Sequence, residues 1–282
     1  MLEYRTIQTI WDEAEATRPA LDAALGIARL AEGHLDVFAF GIDRFEPGYY
    51  FASVSPDMVA DSLERARAEA AAREASARGI LEREDVPWAI RPVVAPLGAL
   101  KESAGRLMRF SDLVVLPRPG DRDDADLLQL IADGALFVGR SRVLLWPETA
   151  EWNPDRFGRN VIVAWNESDE ALRAVRSALP ILRGAEMVQI LMIDPPVRGA
   201  EEAEPGEDLS LYLSRHGVKT EIVLEPKTLP DVADQIFRHA EEVLADMVVM
   251  GAFSHSRLRE FLLGGVTTGV MKRAPLPVFM AH

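Results

Sequence analysis

Short apolar runs alternate with helical patterns along this chain, and their order is repeated once. Each copy begins with an apolar run that ends in Trp-Asp/Asn-Glu, at residues 11–13 and again at 165–167. An Ala/Leu-rich helical pattern and a second strand-like run follow in both copies. Further along, residues 112–116 match residues 246–250, and residues 142–146 match residues 277–281. The chain is therefore predicted to contain two copies of one structural unit.

Alternating strand and helix patterns within each copy predict βαβ units and a parallel sheet. The runs at 161–165 and 247–250 are apolar at consecutive positions, as expected for strands covered on both faces. We predict two tandem, open, doubly wound α/β domains. The expected boundaries are a first domain at 1–147, a linker at 148–159 that is poor in apolar residues, and a second domain at 160–282.

The first copy carries an insertion. The offset between matching positions falls from 154 residues at the first strand to 134 at the fourth, so about 20 extra residues lie between the second and fourth strands of the first copy. Residues 57–81 are rich in Ala, Glu and Arg, which predicts a long helix there. Its counterpart at 206–216 is shorter, and the acidic segment 199–208 before that counterpart is expected to be a mobile surface loop.

Composition narrows the classes of function. The net charge of -14 argues against a nucleic-acid or anionic-membrane partner, since phosphate surfaces need cationic proteins. The absence of cysteine excludes disulfides and thiolate chemistry, and none of the five histidines has the i, i+4 partner of a helical metal site. Without a signal peptide or a membrane-length apolar run, the expected location is the cytoplasm.

Two glycine turns near the end of the second copy carry the candidate chemistry. Gly251 follows an apolar run, and Gly264 and Gly265 precede a predicted helix over residues 266–273. Backbone N–H groups at such strand, turn and helix junctions can converge on a phosphate. In parallel α/β sheets, ligands bind beyond the carboxyl ends of the strands at the switch point. A nucleotide pocket is one hypothesis; the other is that the glycines only permit tight turns and close packing.

These motifs resemble the universal stress protein family. The resemblance rests on the Gly-x2-Gly-x9-Gly-Ser/Thr spacing after a fourth strand and on the closing junction at residues 273–278, and it is stronger from Asn160 to His282 than from Thr6 to Pro147. It implies five-stranded, Rossmann-like domains of the adenine nucleotide α-hydrolase type. It also implies that last strands pair, either within one chain as a pseudo-dimer of the two copies or between chains as a homodimer.

The resemblance further implies one site for ATP or another adenine nucleotide in the second copy, with Mg²⁺ only as a companion of ATP. Two departures concern the phosphates: Ser254 replaces the second motif glycine, and Gly265 replaces the Ser/Thr. A third places Asn166 where nucleotide-binding members have Asp. No catalytic or metal-binding residue is expected, and no base for more than slow ATP hydrolysis is visible. The adenosine is expected to contact Ala164, Asn166 and Met250, and the phosphates Gly251, Ser254, Gly264, Gly265, Val266 and the hydroxyl of Thr267.

The matching turn of the first copy, at residues 117–126, has a different composition. Pro117 and Pro119 remove two N–H donors, and four aspartates in the turn would repel a polyphosphate more strongly than Arg118 and Arg122 attract it. The apolar pair at 130–131 replaces the glycine pair. We predict that the first copy binds no nucleotide polyphosphate.

Three classes of function are compatible with these patterns. The preferred one is a stress-response binding or regulatory module with a single adenine-nucleotide site. The second is a structural or protein-interaction stress protein whose pocket is empty or holds a different ligand. The third, an adenylyl-transferring ligase, would need a pyrophosphate loop of Ser-Gly-Gly type after the first strand, and residues 166–169 do not form one.

Overall fold

The predicted apolar runs all form strands of one sheet. The structure, a computed structural model, describes residues 2–45, 56–196, 204–252 and 265–282, and in these ranges the chain forms ten strands and eight α-helices. The strands are β1 (Thr6–Ile10), β2 (His34–Asp43), β3 (Trp88–Pro96), β4 (Leu113–Pro117), β5 (Val143–Trp146), β6 (Asn160–Ala164), β7 (Met187–Ile193), β8 (Thr220–Glu225), β9 (Met247–Gly251) and β10 (Val278–Ala281). The helices are α1 (Arg18–Ala31), α2 (Pro56–Leu81), α3 (Leu100–Met108), α4 (Ala125–Asp133), α5 (Asp169–Leu182), α6 (Glu207–Arg215), α7 (Val232–Glu242) and α8 (Val266–Arg273).

The sheet order shows two equivalent halves joined edge to edge. The order is β3-β2-β1-β4-β5-β10-β9-β6-β7-β8, so each half has the doubly wound arrangement of third, second, first, fourth and fifth strand. Pairing is parallel within each half and antiparallel only between β5 and β10, where Leu144 lies opposite Phe279. The predicted tandem α/β fold is confirmed. The last strands pair within the chain, as the pseudo-dimer arrangement requires.

Helices cover both faces of the sheet. Successive strand residues point to opposite sides, so that Val249 belongs to one core and Val248 to the other. The first core lies beneath α1, α5, α6 and the C-terminal end of α2, and the second beneath α3, α4, α7 and α8. Burial on both faces explains why these strands are apolar at consecutive positions.

The insertion in the first half is helix α2, at the place the residue offset predicts. Its packing on β2 is close: a Cβ added at Gly41 would lie 1.8 Å from the carbonyl oxygen of Ala66 in α2. Helix α2 has 26 residues but is rich in Glu and Arg. In the described part of the chain, no helix is both long enough and apolar enough to cross a membrane. The shorter counterpart in the second half is α6. Half of the predicted acidic loop, residues 199–203, lies outside the described residues, and its last two residues, Glu207 and Asp208, begin α6.

The segment predicted as a linker packs against the first half. Trp152 lies on α1 at Gly26, where an added Cβ would come within 2.0 Å of the indole ring. Its ring also stacks near Trp146 and Phe157, with centroid distances of 5.9 Å and 5.0 Å. The Trp146 indole N–H donates to the carbonyl oxygen of Ala150 at 2.7 Å. Few apolar residues occur in this segment, but two of them, Trp152 and Phe157, pack against Trp146 of the first half.

Side chains also join the two halves outside the β5–β10 pair. Tyr4, which is 2% exposed, donates its hydroxyl to the carbonyl oxygen of Ser177 in α5 at 2.8 Å. Burial raises the pKa of this tyrosine. The ring of Phe137 meets His282 edge to face, with a centroid distance of 4.9 Å. The halves therefore form one continuous packed body.

An aspartate at the start of the fourth strand anchors the first strand in each half. One carboxylate oxygen of Asp246 accepts the backbone N–H groups of Arg159 and Asn160, both at 2.9 Å. Asp112 does the same for Arg5 and Thr6, at 2.8 Å and 2.9 Å. The second oxygen of Asp246 is buried without a hydrogen-bond partner, and burial raises the pKa of this carboxyl group.

Replacing Asp246 by alanine is expected to lower the free energy of unfolding by about 1–2 kcal/mol, because two backbone N–H groups lose their acceptor. Asp246→Asn keeps an acceptor oxygen and removes the buried charge, so at neutral pH it should be at least as stable as the wild type. A folded-state pKa above the ordinary 3.8 means that the native state holds its proton more tightly than the unfolded chain. The contribution of this proton to stability is fully present when the pH is below 3.8, and it is lost as the pH rises through the raised pKa.

Urea unfolding of both variants at about pH 4 and about pH 7 measures these differences. The stability of Asp246→Asn relative to the wild type should increase with pH, while Asp246→Ala stays below both. Asp112→Ala is the matched control for the anchoring role and should lose a similar amount. Equal losses for the Asn and Ala variants would contradict this explanation.

Candidate functional site

The predicted adenosine residues lie at the point where the sheet order of the second half reverses. Strand β6 pairs with β7 on one side and with β9 on the other, and Ala164 at its carboxyl end lies opposite Met250. Both side chains face the core beneath α7 and α8. The strand continues from Met250 into Gly251, which lies opposite Ala281 of β10. The structure thus brings Ala164, Met250 and Gly251 together at the switch point, the position where open α/β sheets bind ligands.

Asn166 begins the loop between β6 and α5 and shapes that loop. Its side-chain oxygen accepts the N–H and the hydroxyl of Ser168, at 3.2 Å and 2.7 Å. The Ser168 hydroxyl in turn accepts the N–H of Ala171 at 3.2 Å and caps α5. Between them, Glu167 has a left-handed φ of 62°. Asn166 is exposed at the mouth of the switch point, and its oxygen is used to hold the turn.

The first half builds the same turn with an aspartate. Glu13 has a φ of 68°, and an oxygen of Asp12 accepts the N–H of Ala14 at 3.0 Å and the hydroxyl of Thr17. The two loops have the same backbone turn although only one begins with a carboxylate. Trp11, which follows β1, is 6% exposed, and its indole N–H donates to Ser76 of α2 at 3.2 Å.

Gly251 lies directly against the first turn of α5. A Cβ at this position would fall 2.5 Å from the backbone nitrogen of Ala171 and 2.7 Å from the carbonyl carbon of Glu170. No side chain fits there without moving the helix. This contact could not be predicted from the sequence, since the spacing of the glycines contains no information about which helix start they meet. The Glu170 carboxylate beside it lies 3.7 Å from Arg173.

Gly265 is the N-cap of α8, with φ -59° and ψ 150°, and Val266 begins the helix as predicted. The carbonyl oxygen of Gly265 accepts the N–H of Gly269 at 3.1 Å, which is the first bond of the helix. Val266 is half-buried, whereas Thr267 is only 3% exposed, so its side chain points into the fold. Ser254 and Gly264 lie outside the described residues, and so do His255, Arg257 and Arg259 between the two glycine turns.

In the first half, Arg122 occupies the corresponding end of the sheet. This arginine comes from the turn after β4 and contacts Asp12 at 3.2 Å and Asp124 at 2.8 Å. Its side chain is 17% exposed and that of Asp12 only 12%. One guanidinium nitrogen of Arg122 is buried without a hydrogen-bond partner. The sequence predicts net repulsion in this turn; the structure shows that Arg122 pairs with one carboxylate of the turn, Asp124, and with Asp12 of the first loop.

The helix after this turn also differs from its counterpart in the second half. Helix α4 begins at Ala125, so the pair at 130–131 lies inside a helix and not at a glycine turn. The π-helical turn Gly134–Val138 continues it. Strand β4 thus ends in Pro117 where β9 ends in Gly251, and α4 is preceded by Asp124 where α8 is preceded by Gly265.

Among the described residues, no three His, Asp or Glu side chains lie close enough together to hold a metal ion. The chemistry left at the switch point of the second half is therefore that of backbone donors, a small apolar surface and an amide side chain. Such a surface can bind and orient a ligand.

Comparison with known proteins identifies the second half. Residues 158–282 match the model of the universal stress protein family. A universal stress protein of Methanocaldococcus jannaschii is 26% identical over 143 residues, covering 45% of this chain and 84% of that protein. The second half is therefore a universal stress protein domain. This match of the second half supports a role in the response to stress.

Solved structures extend the similarity of fold to the whole chain. A universal stress protein from Archaeoglobus fulgidus has a TM-score of 0.71 at 16% identity, covering 99% of this chain and 96% of that one. A protein of unknown function from Pseudomonas aeruginosa has a TM-score of 0.58 at 15% identity, covering 99% and 92%. At these identities the similarity concerns the fold alone. Both halves, including the one outside the family match, share the Rossmann-like architecture.

Proposed function

We propose that this protein is a stress-response binding or regulatory module that binds one adenine nucleotide, ATP in the first place, in its second half. The observation that carries the proposal is the pairing of Ala164 with Met250 at the switch point, where β9 continues into Gly251. At this edge, the half-buried Ala164 offers a small apolar surface for the adenosine, backed by the buried Met250 and with the exposed Asn166 at its rim. The cytoplasmic location expected from the sequence belongs to this proposal.

Helix α8 supplies the expected phosphate contact. The N–H groups at the start of an α-helix point along its axis and have no acceptor within the helix, and the helix dipole favours an anion there. In α8 this end begins with Gly265, which has no side chain to exclude a phosphate, and Val266. Mg²⁺ would enter this site only with ATP, since its preferred ligands are oxygen atoms and the described residues form no acidic cluster for it.

The first half supports a stoichiometry of one nucleotide per chain. Its strand end is Pro117, which has no N–H to offer, and Arg122 already pairs with Asp12 beside it. We infer that this half is a structural partner of the binding half.

A second candidate function is a structural or interaction protein without a nucleotide. Gly251 favours it, since contact with the first turn of α5 is by itself a sufficient reason for glycine at this position. The two candidates differ in one property: only the first requires an anion at the N-terminus of α8.

Replacing Gly265 by aspartate tests the nucleotide site without disturbing the fold. The φ and ψ of Gly265 are open to any residue, and aspartate is a favourable N-cap, so the variant should be as stable as the wild type. Its carboxylate would occupy the phosphate position, and ATP affinity should fall by at least about tenfold from repulsion between like charges. The affinity is measured by calorimetric titration with ATP, ADP and AMP.

Two matched variants complete this experiment. Gly265→Asn provides a similar cap without the charge and should lose less affinity than Gly265→Asp. Gly98→Asp adds the same charge at an exposed turn of the first half, where an added Cβ meets nothing within 4 Å, and should bind as the wild type does. If millimolar ATP gives neither heat nor a thermal shift with the wild type, the nucleotide function is wrong. If Gly265→Asp binds ATP normally, the phosphates do not lie at α8.

A further inference from the structure

The turn after β4 in the first half reaches across to the second half and ends on helix α8. Nη1 of Arg118 donates to the carbonyl oxygen of Lys272, and the N–H of Gly120 donates to the carbonyl oxygen of Met271 at 3.3 Å. The backbone of Arg118 is fixed as well, because its N–H donates to the carbonyl oxygen of Trp146 at 2.8 Å. Its Nε is buried without a hydrogen-bond partner, while the bond from Nη1 to Lys272 lies at the surface.

These contacts provide donors for carbonyl groups at the C-terminus of α8 that have no hydrogen-bond partner within the helix. The last four carbonyls of a helix have no intrahelical donor. In α8, Val270 receives the N–H of Ala274 at 3.0 Å, while the next two carbonyls receive donors from the first half. The positive charge of Arg118 also lies at the helix end where the dipole favours a cation. The C-terminus of α8 is thus capped by residues of the other half.

The turn is rigid. Pro119 fixes its own φ, and Gly120 follows with a left-handed φ of 64° that few other residues adopt. A Cβ at Gly120 would lie 3.2 Å from a guanidinium nitrogen of Arg118. The prolines that make this turn unsuitable as a phosphate loop therefore make it suitable as a fixed support.

Helix α8 depends on such supports because it is short. Eight residues make about two turns, and a helix of this length is not stable by itself in water. Its other anchors include Arg273, which pairs with Asp231 and, at 3.0 Å, with Asp234 at the start of α7. Gln129 of α4 also contacts the sulfur of Met271 at 2.7 Å, and the side chains of Val270 and Met271 are buried in the core. The C-terminal contacts therefore help to fix the N-terminus of α8, which lies about 12 Å away along the axis.

We propose that the turn at residues 117–120 of the first half is a positioning element for the nucleotide site of the second half, with Arg118 as its principal contact. The proposal rests on the proposed function, since the ligand is the nucleotide phosphate at the N-terminus of α8. The first half then has a specific role: it no longer binds a phosphate itself, and it holds the helix that does.

Arg118→Ala tests this role through the difference between ATP and adenosine. Loss of the cap should weaken ATP binding by about three- to tenfold, corresponding to a helix-end charge and one hydrogen bond. Adenosine has no phosphate to reach α8, so its affinity, measured by displacement titration, should stay within about twofold of the wild type. Arg118→Lys keeps a charged donor and should recover most of the ATP affinity. Arg106→Ala removes an exposed arginine from α3 of the same half and serves as the control.

Hydrogen exchange of α8 gives a second readout in the absence of any ligand. Arg118→Ala should speed exchange at residues 269–273, and Arg106→Ala should not. If Arg118→Ala binds ATP as the wild type does, loses ATP and adenosine affinity equally, or leaves α8 exchange unchanged, the positioning role is wrong while the nucleotide site stands. If the wild type binds no nucleotide, the proposed function and this role both fail.

Discussion

Replacing Gly251 by valine is expected to lower the free energy of unfolding by about 3 kcal/mol and to abolish nucleotide binding. The reason is steric. A Cβ at this position would lie 2.5 Å and 2.7 Å from backbone atoms of Ala171 and Glu170, and backbone cannot rotate away as a flexible side chain can. The N-terminal turn of α5 would have to leave β9, and the loop that contains Asn166 would move with it.

The control for this prediction is Gly98→Val. Glycine at 98 is exposed, and an added Cβ meets nothing within 4 Å, so the same substitution should change stability by no more than about 0.5 kcal/mol. Urea unfolding and ATP titration of both variants measure the two effects. A Gly251→Val protein with wild-type stability would show that α5 does not lie where the structure places it. A destabilised variant that still binds ATP would remove this strand end from the site.

Removing Arg122 is expected to destabilise the first half by about 2 kcal/mol without creating a second nucleotide site. This arginine contacts Asp12 at 3.2 Å and Asp124 at 2.8 Å, and the loss of one partner leaves two partly buried carboxylates facing each other. The full cost of breaking a buried pair is larger, but the Asp124 side chain is 33% exposed and solvent screens it.

A double variant separates the charge from the packing. Arg122→Met retains much of the volume, so its loss of stability should come mainly from the uncompensated charge. Adding Asp12→Asn to Arg122→Met removes one of the two carboxylates and should restore part of that stability. A double variant less stable than Arg122→Met would contradict the electrostatic explanation.

An Arg122→Ala variant tests the prediction that the first half binds no nucleotide polyphosphate. Even without the arginine, Pro117 and Pro119 offer no N–H groups, and α4 begins without a glycine turn. ATP stoichiometry should therefore remain at one per chain. A second equivalent of ATP bound by Arg122→Ala would show that the arginine alone blocks the first half.

Much of the fold could be predicted because the sheet is buried on both faces. Consecutive apolar residues mark such strands clearly, and the repeat provides each strand with a second copy as a check. The predicted run at 247–250 lies within β9, and the predicted helix at 266–273 agrees with α8 residue for residue. The packing of the predicted linker could not be predicted, since the contact between Trp152 and Gly26 joins residues far apart in sequence.

The candidate site could be predicted only in part, for a physical reason. The repeat and the strand ends predict where Ala164, Met250 and Gly251 meet. The partners of the two arginines depend on tertiary geometry. Although both lie in one short turn, Arg118 donates to the carbonyl oxygen of Lys272 in the second half, whereas Arg122 pairs with Asp12 in the first half. Sequence shows their charge but not their direction. The sequence likewise did not indicate that Asn166 uses its oxygen to hold its own turn.

One adenine nucleotide is proposed to bind at the switch point of the second half. Photoaffinity labelling with 8-azido-ATP, followed by peptide mapping, tests the place of binding directly. The account predicts a single labelled region per chain, in peptides that contain residues 164–166 or 250–267, with protection by excess ATP. Label in peptides of residues 1–147, or ATP-protected label at no position, would contradict it.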